Sequence, residues 1–196
     1  MANANSPSGL APVQYLSGSP WSGQARIYAI APAYAVKLAI GDPVVSAGGA
    51  DPAGVPSIAR AGATGAIRGV IVGLGSLNQT AMANPTNLDQ TIRPGVAQLG
   101  WWYAMVVDDP NVIFEIQEGG DVMAAADVGL NANLTIVDAN NFLSQVVLDS
   151  STKAATATLQ VKLLGLTQRI DNSFGEYAKW LVKINNHELA AGTAGV

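Results

Sequence analysis

Apolar residues in this chain recur with period two over several short stretches, which predicts strands instead of helices. Residues 25–30 (ARIYAI) alternate, with Arg26 and Tyr28 on one side and Ile27 and Ala29 on the other. Residues 66–74 (AIRGVIVGL) form a β-branched run broken by glycine, as expected of a buried strand with a bulge or a close backbone approach. The strongest local pattern is residues 101–107 (WWYAMVV) and 112–117 (VIFEIQ) flanking Asp108-Asp109-Pro110-Asn111. Pro110 presets a turn φ and the acids suit turn geometry, so the pair reads as a β-hairpin. In it, Trp101, Tyr103, Met105 and Val107 share one face of the first strand. Val112, Phe114 and Ile116 share one face of the second.

Further strands are predicted over residues 134–137, 144–148, 159–166 and 178–184. The last sets Lys179 and Lys183 against Trp180, Val182 and Ile184. Helical signal is confined to residues 121–127 (DVMAAAD), one or two turns at most. Residues 1–24 are a low-complexity arm of Ser, Gly, Pro, Asn and Ala, with Leu10, Tyr15 and Trp21 as widely spaced anchors. Such a segment is expected to be extended and to gain order by lying on a partner. No internal repeat and no second core are apparent. The expected fold is all-β: residues 25–196 as a single antiparallel β-sandwich, jelly-roll-like, carrying the N-terminal arm of residues 1–24.

Composition narrows the class of object. The chain has 196 residues, and charged residues make up 12% of it, against about 25% in ordinary soluble domains. Apolar residues reach 49% while aromatics are only 6%. A lone monomer would have to cover its surface with small residues, which suits a protein buried among other subunits. We therefore expect a homodimer or homotrimer.

The chain has no Cys and one His, His187. Disulfides, thiolate chemistry and Cys- or His-rich metal sites are thereby excluded. A net charge of −4 argues against phosphate-driven nucleic-acid binding. No apolar run is long enough for a membrane span, and residues 1–21 carry neither the basic nor the apolar region of a signal peptide.

Charge is distributed in blocks. Bases Arg26, Lys37, Arg60, Arg68 and Arg93 outnumber acids before residue 94, and Lys153, Lys162, Arg169, Lys179 and Lys183 do so after residue 152. Between them stand Asp108, Asp109, Glu115, Glu118, Asp121, Asp127, Asp138 and Asp149 with no base at all. This pattern implies contacts between segments or a complementary partner, or else acids that are simply turn residues and a solvated edge.

Motifs for chemistry do not assemble. GVIVGLGSLN, with Gly73 and Gly75, resembles a dinucleotide loop, but Asn78 occupies the third glycine position and Pro85 breaks the segment that should be a helix. The adjacent carboxyls Asp108 and Asp109 diverge in a turn and do not face each other across a cleft. His187 has only Glu188 beside it, and no GxSxG elbow is present. No catalytic residue, cofactor or metal is expected.

Several stretches together resemble the capsid cement (decoration) proteins of tailed bacteriophages: SPSGLAPVQYLSGSPWSGQARIY, AIGDP, AIRGVIVGLG, WWYAMVVDDPNVIFEIQEGG, VGLNAN and LGLTQRIDNSFGEYAKWLVKINNHEL. The resemblance spans most of residues 6–189. It implies a jelly-roll-like sandwich that multimerises on the outer surface of the head, assembled in the host cytoplasm. There it would bridge major capsid protein subunits without catalysis. On this reading Tyr15, Trp21, Trp101, Trp102, Asp108 and Asp109 are the expected interface residues. The alternative is a carbohydrate- or receptor-binding β-sandwich that stacks its ligand on Trp101, Trp102 or Tyr103.

Overall fold

The computed structural model describes residues 3–76, 90–140 and 142–190. Thirteen strands are found among them: β1 (Ala11–Tyr15), β2 (Arg26–Ile30), β3 (Leu38–Ala39), β4 (Pro43–Ala50), β5 (Pro56–Arg60), β6 (Gly69–Ser76), β7 (Ile92–Arg93), β8 (Trp102–Val107), β9 (Val112–Gln117), β10 (Asn131–Thr135), β11 (Val147–Ala154), β12 (Val161–Leu166) and β13 (Lys179–Ile184). The protein is all-β and sandwich-like. One layer is a six-stranded antiparallel sheet in the order β1-β9-β13-β12-β10-β11. The other closes into a five-stranded barrel, β2-β5-β4-β6-β8, in which only the β2–β5 pairing is parallel. Strands β3 and β7 form a separate ribbon.

Alternation along β6 and β8 explains why two layers can share these strands. Val70 pairs with Val107 and Ile71 with Val106. Val70 and Val107 face the six-stranded sheet and join Phe114, Ile116, Trp180, Val182 and Ile184 in the larger core. Ile71 and Val106 face the barrel interior with Tyr28, Ile30, Val44, Ile58, Trp102 and Ala104. The described residues therefore pack two apolar clusters, where the sequence pattern suggested one. A strand between two layers buries both faces, and both runs of β-branched residues become core.

The expected hairpin across residues 108–111 does not form. Strand β8 pairs with β2 and β6, and β9 pairs with β1 and β13, so the turn is a corner leading from the barrel into the sheet. The face assignments survive this correction, because alternation decides faces and says nothing about ladder partners. The expected bulge in residues 66–74 is present as a register shift between Ile71 and Gly73. At Gly69 a Cβ would stand 2.3 Å from the Val107 carbonyl oxygen, so only glycine allows that approach. The expected helix over residues 121–127 shrinks to a 3-10 turn at Ala125–Asp127. Asn78 and Pro85 lie outside the described residues.

The arm is part of the fold. Strand β1 is the edge of the sheet against β9, and Leu10 is only 1% exposed within the larger core. Gln117 accepts a hydrogen bond from the Ser6 amide (2.7 Å) and donates to Asn5 Oδ1 (2.9 Å). The expectation that this segment orders only on a partner is corrected: its own chain supplies the docking groove. Among the described residues no helix is long and apolar enough to cross a membrane.

Candidate functional site

The 108–111 corner gathers four of the six residues singled out from the sequence. Asp109 closes the turn by accepting from the Asn111 amide at 2.8 Å and its side-chain Nδ2 at 3.1 Å. The Asn111 carbonyl in turn accepts from the Leu16 amide at 2.8 Å, which ties the arm to the corner. Gln24 then receives both aromatic anchors. Its carbonyl accepts from the Trp21 indole N–H (3.3 Å) and its side chain from the Tyr15 hydroxyl (3.4 Å). Gln24, Arg26, Asp108, Asp109 and Leu189 line a cleft of about 280 Å³ there. Leu189 in its wall and Leu16, tied to Asn111, are each about half exposed.

Asp108 itself is buried, 6% exposed, and its Oδ2 is saturated from within the chain. Oδ2 accepts the Tyr28 hydroxyl at 2.6 Å and the Arg26 guanidinium at 3.3 Å, with Arg68 Nε at 3.8 Å. Arg68 Nε also donates to the Tyr28 oxygen at 3.0 Å, and its ring-facing guanidinium lies 5.4 Å from the Tyr28 centroid. Burial, followed by the bond to Asp108, pushes the Tyr28 phenol above its ordinary pKa. Glu188 completes the cluster: it approaches Arg68 at 3.7 Å and accepts from Ser46 N–H (2.9 Å) and Oγ (2.5 Å). A carboxylate so engaged is a structural joint between barrel and C-terminal segment, not a free acid or base.

His187 is 4% exposed. Its Nδ1 accepts from the Leu189 amide at 3.0 Å, so the neutral ring carries its proton on Nε2, which is buried without a partner. Burial holds its pKa below the usual histidine range. Burial therefore favours its neutral form.

The block pattern of charge resolves in part in the same way. Asp108 pairs with Arg26 and Arg68, Asp138 with Arg60 (2.5 Å), Asp127 with Lys153 (3.0 Å), and Glu115 with Arg169 (3.5 Å) and Lys179 (4.0 Å). Four of the eight acids of the middle segment thus meet bases from both flanks, while Asp109, Glu118, Asp121 and Asp149 form no ion pair among the described residues. Among the described residues no three His, Asp or Glu side chains are placed to hold a metal ion.

Trp101 and Trp102 stand at the other end of β8, about 20 Å from the corner at the usual strand rise. Trp102 is a barrel core residue, 6% exposed, with the buried Arg93 guanidinium 6.0 Å from its ring. Tyr103 is 8% exposed and donates its hydroxyl to Asp51 at 2.5 Å. Trp101 alone is half-buried, so the three rings present no common stacking platform. Reasoning from sequence missed Tyr28, Arg26, Arg68 and Gln24 at the corner. The basic flanks were the signal for the arginines, but which acid each would meet is set by sheet topology.

No family model, curated protein or solved structure matches this chain.

Proposed function

We propose that the protein is a structural component of a phage virion, a cement protein that binds the outer surface of the head and bridges major capsid protein subunits. One observation carries this reading. At the corner Asp108 is saturated within the chain, while Leu16 of the arm and Leu189 of the cleft remain about half exposed. A surface of this kind favours adhesion over chemistry, because apolar area released from water contributes affinity without a reacting group. The low charge of the chain and the sequence resemblance support the same conclusion. The interface would centre on Tyr15, Trp21 and Asp109, with Asp108 holding the corner in shape from behind.

The test is co-sedimentation of the purified protein with heads that lack it. Binding at a fixed copy number per capsid subunit, with a rise in head melting temperature, is the expected result. Leu16→Asp and Leu189→Asp should each weaken binding roughly 10- to 100-fold, the equivalent of losing about 1.5–3 kcal/mol of apolar burial. Their circular dichroism should stay unchanged. Because the exposed side chains proposed to make contact are apolar, binding should persist at 0.5 M salt, where exposed charge pairs are screened (roughly 3–8 Å Debye length). Failure to sediment with heads, or dependence of head stability on a chelator, would end the cement reading.

Self-association is a companion expectation. Sedimentation velocity at micromolar concentration should show a dimer or trimer, and a monomer at all concentrations would contradict it.

A further inference from the structure

The strand that leaves the corner ends on a carboxyl the proposed function does not use. Glu118, just past β9, is fully buried. Its Oε2 accepts the Trp180 indole N–H at 3.3 Å, and its Oε1 is buried without a partner. The backbone here forms a seam. Glu118 bridges Leu148 in parallel, and the Gly119 amide donates to the Leu148 carbonyl at 2.9 Å, joining the end of β9 to β11.

Over this seam runs the 119–130 segment, which contains only the 3-10 turn at Ala125–Asp127. Its ends are fastened, Gly119 to β11 and Gly129 and Leu130 to β12. At β12 the Gly129 amide donates to the Leu163 carbonyl and the Leu130 carbonyl accepts from the Leu163 amide, both at 2.9 Å. Residues 121–128 between them are held by few contacts. Met123 is their one fully buried side chain and belongs to the larger core. Lys153 of β11 pairs with Asp127 at 3.0 Å and donates to the Val122 carbonyl at 3.5 Å. Gly120 and Gly129, with φ of +114° and +94°, flank the span and give it two points at which it can swing.

We propose that Glu118 is a proton-operated latch for this segment: protonated, it lets residues 121–128 close over the core, and deprotonated, it favours release of those residues and of Met123.

The physical reason is that a carboxylate without a cation or a full set of donors is costly to keep out of water. The groups facing it cannot meet that cost. From β13 it receives one indole N–H, while Lys179 and Lys183 lie on the opposite face of that strand from Trp180. From β11 the near cation is Lys153, already taken by Asp127. The covering segment brings one donor, the Met123 amide, and two acids, Asp121 and Asp127. Opening is the cheapest route to hydration, since the span is mostly exposed already. Burial accordingly pushes the Glu118 pKa up to about 7, against the pull of the Trp180 indole, the Met123 and Ala178 amides and Lys153.

The sign follows from linkage. The closed state holds the proton up to about pH 7, whereas a hydrated glutamate releases it near its ordinary value of about 4.3. Opening therefore becomes more favourable as pH rises between those values, by about tenfold per pH unit, and levels off above the closed-state value. Global stability is a poor reporter, because His187, with its pKa lowered by burial, contributes a titration of opposite sign. The reporter must be local.

Hydrogen exchange of the full-length protein, corrected for intrinsic rates, should show opening at residues 122–128 rising about 40-fold from pH 5 to pH 7. Amides of Ile116 and Val182 should not follow it. In Glu118→Gln, a neutral side chain of the same shape, the 122–128 profile should be flat. Should that variant fail to fold, carbon-detected titration of the wild-type Glu118 carboxyl supplies the second measurement. A midpoint coinciding with the pH at which exchange levels off supports the latch. An ordinary carboxyl midpoint, a pH-independent 122–128 span, or equal changes at Ile116 and Val182 would each overturn it.

Discussion

Removal of residues 3–18 unfolds the protein or lowers its melting temperature by more than about 10 °C, although these residues look like a dispensable tail. Leu10 is sealed in the larger core, and its truncation alone to Ala should cost about 2–5 kcal/mol. Deletion also strips β1 from β9, where Ala11 faces Glu115, Pro12 faces Phe114 and Tyr15 faces Val112. It exposes the side of Phe114 and Ile116 and leaves Gln117 without Asn5 and Ser6. Against a total stability of about 5–15 kcal/mol, that loss is a large fraction. At roughly 2–4 °C per kcal/mol for a chain of this size, Leu10→Ala should melt about 5–15 °C below the parent.

A tighter check is Gly9→Val. Gly9 sits at φ +70°, and a Cβ there would meet the Gly41 carbonyl oxygen at 2.4 Å, so backbone must move on both sides. The loss should match or exceed that of Leu10→Ala. Calorimetry on the three variants decides the point, and a deletion that melts with the parent would show that the arm is not part of the core. This outcome separates cleanly from Leu16→Asp, which should keep the fold and lose only attachment.

Asp108→Ala should cost about 3–5 kcal/mol in urea unfolding, the usual consequence of removing one partner of a buried ion pair. It takes the only carboxylate from the Tyr28 hydroxyl and a nearby one from Arg68, whose side chain is 20% exposed. Arg26, 69% exposed, is different. Exposed pairs contribute roughly 0–1 kcal/mol, so Arg26→Ala should barely shift the midpoint. Tyr28→Phe removes one donor and should fall between them, near 1 kcal/mol. If Asp108→Ala unfolds within about 1 kcal/mol of the parent, the corner is not the joint between the two layers that its geometry indicates.

Faces were legible in the sequence because side-chain alternation is a local property of the extended chain. The split of Trp102, Ala104 and Val106 from Val107, and of Trp180, Val182 and Ile184 from Lys179 and Lys183, holds in both readings. The all-β class follows from the same period. Strands β4 and β5 were missed because segments such as SAGGA lack the β-branched and aromatic side chains that mark a strand. They are extended because barrel closure supplies their partners. Glycines 119, 120 and 129 and the burial of Met123 limited the expected helix to one short turn.

What no local pattern could hold is which strand lies beside which. The Asp108-Asp109-Pro110-Asn111 turn serves a hairpin or a corner equally well, and the choice fell to β2, β6, β1 and β13 competing for the two strand edges. The same competition placed the Ser- and Pro-rich arm on β9 and turned part of the block charge into pairs within the chain. It also buried Glu118 and His187 at seams between elements distant in sequence. The sequence by itself therefore determined strand character, the facing of side chains and the scarcity of reactive groups. Tertiary structure alone decided strand partners, the role of the arm and the environment of each buried charge, because those depend on long-range contacts whose energies are summed only in the folded chain.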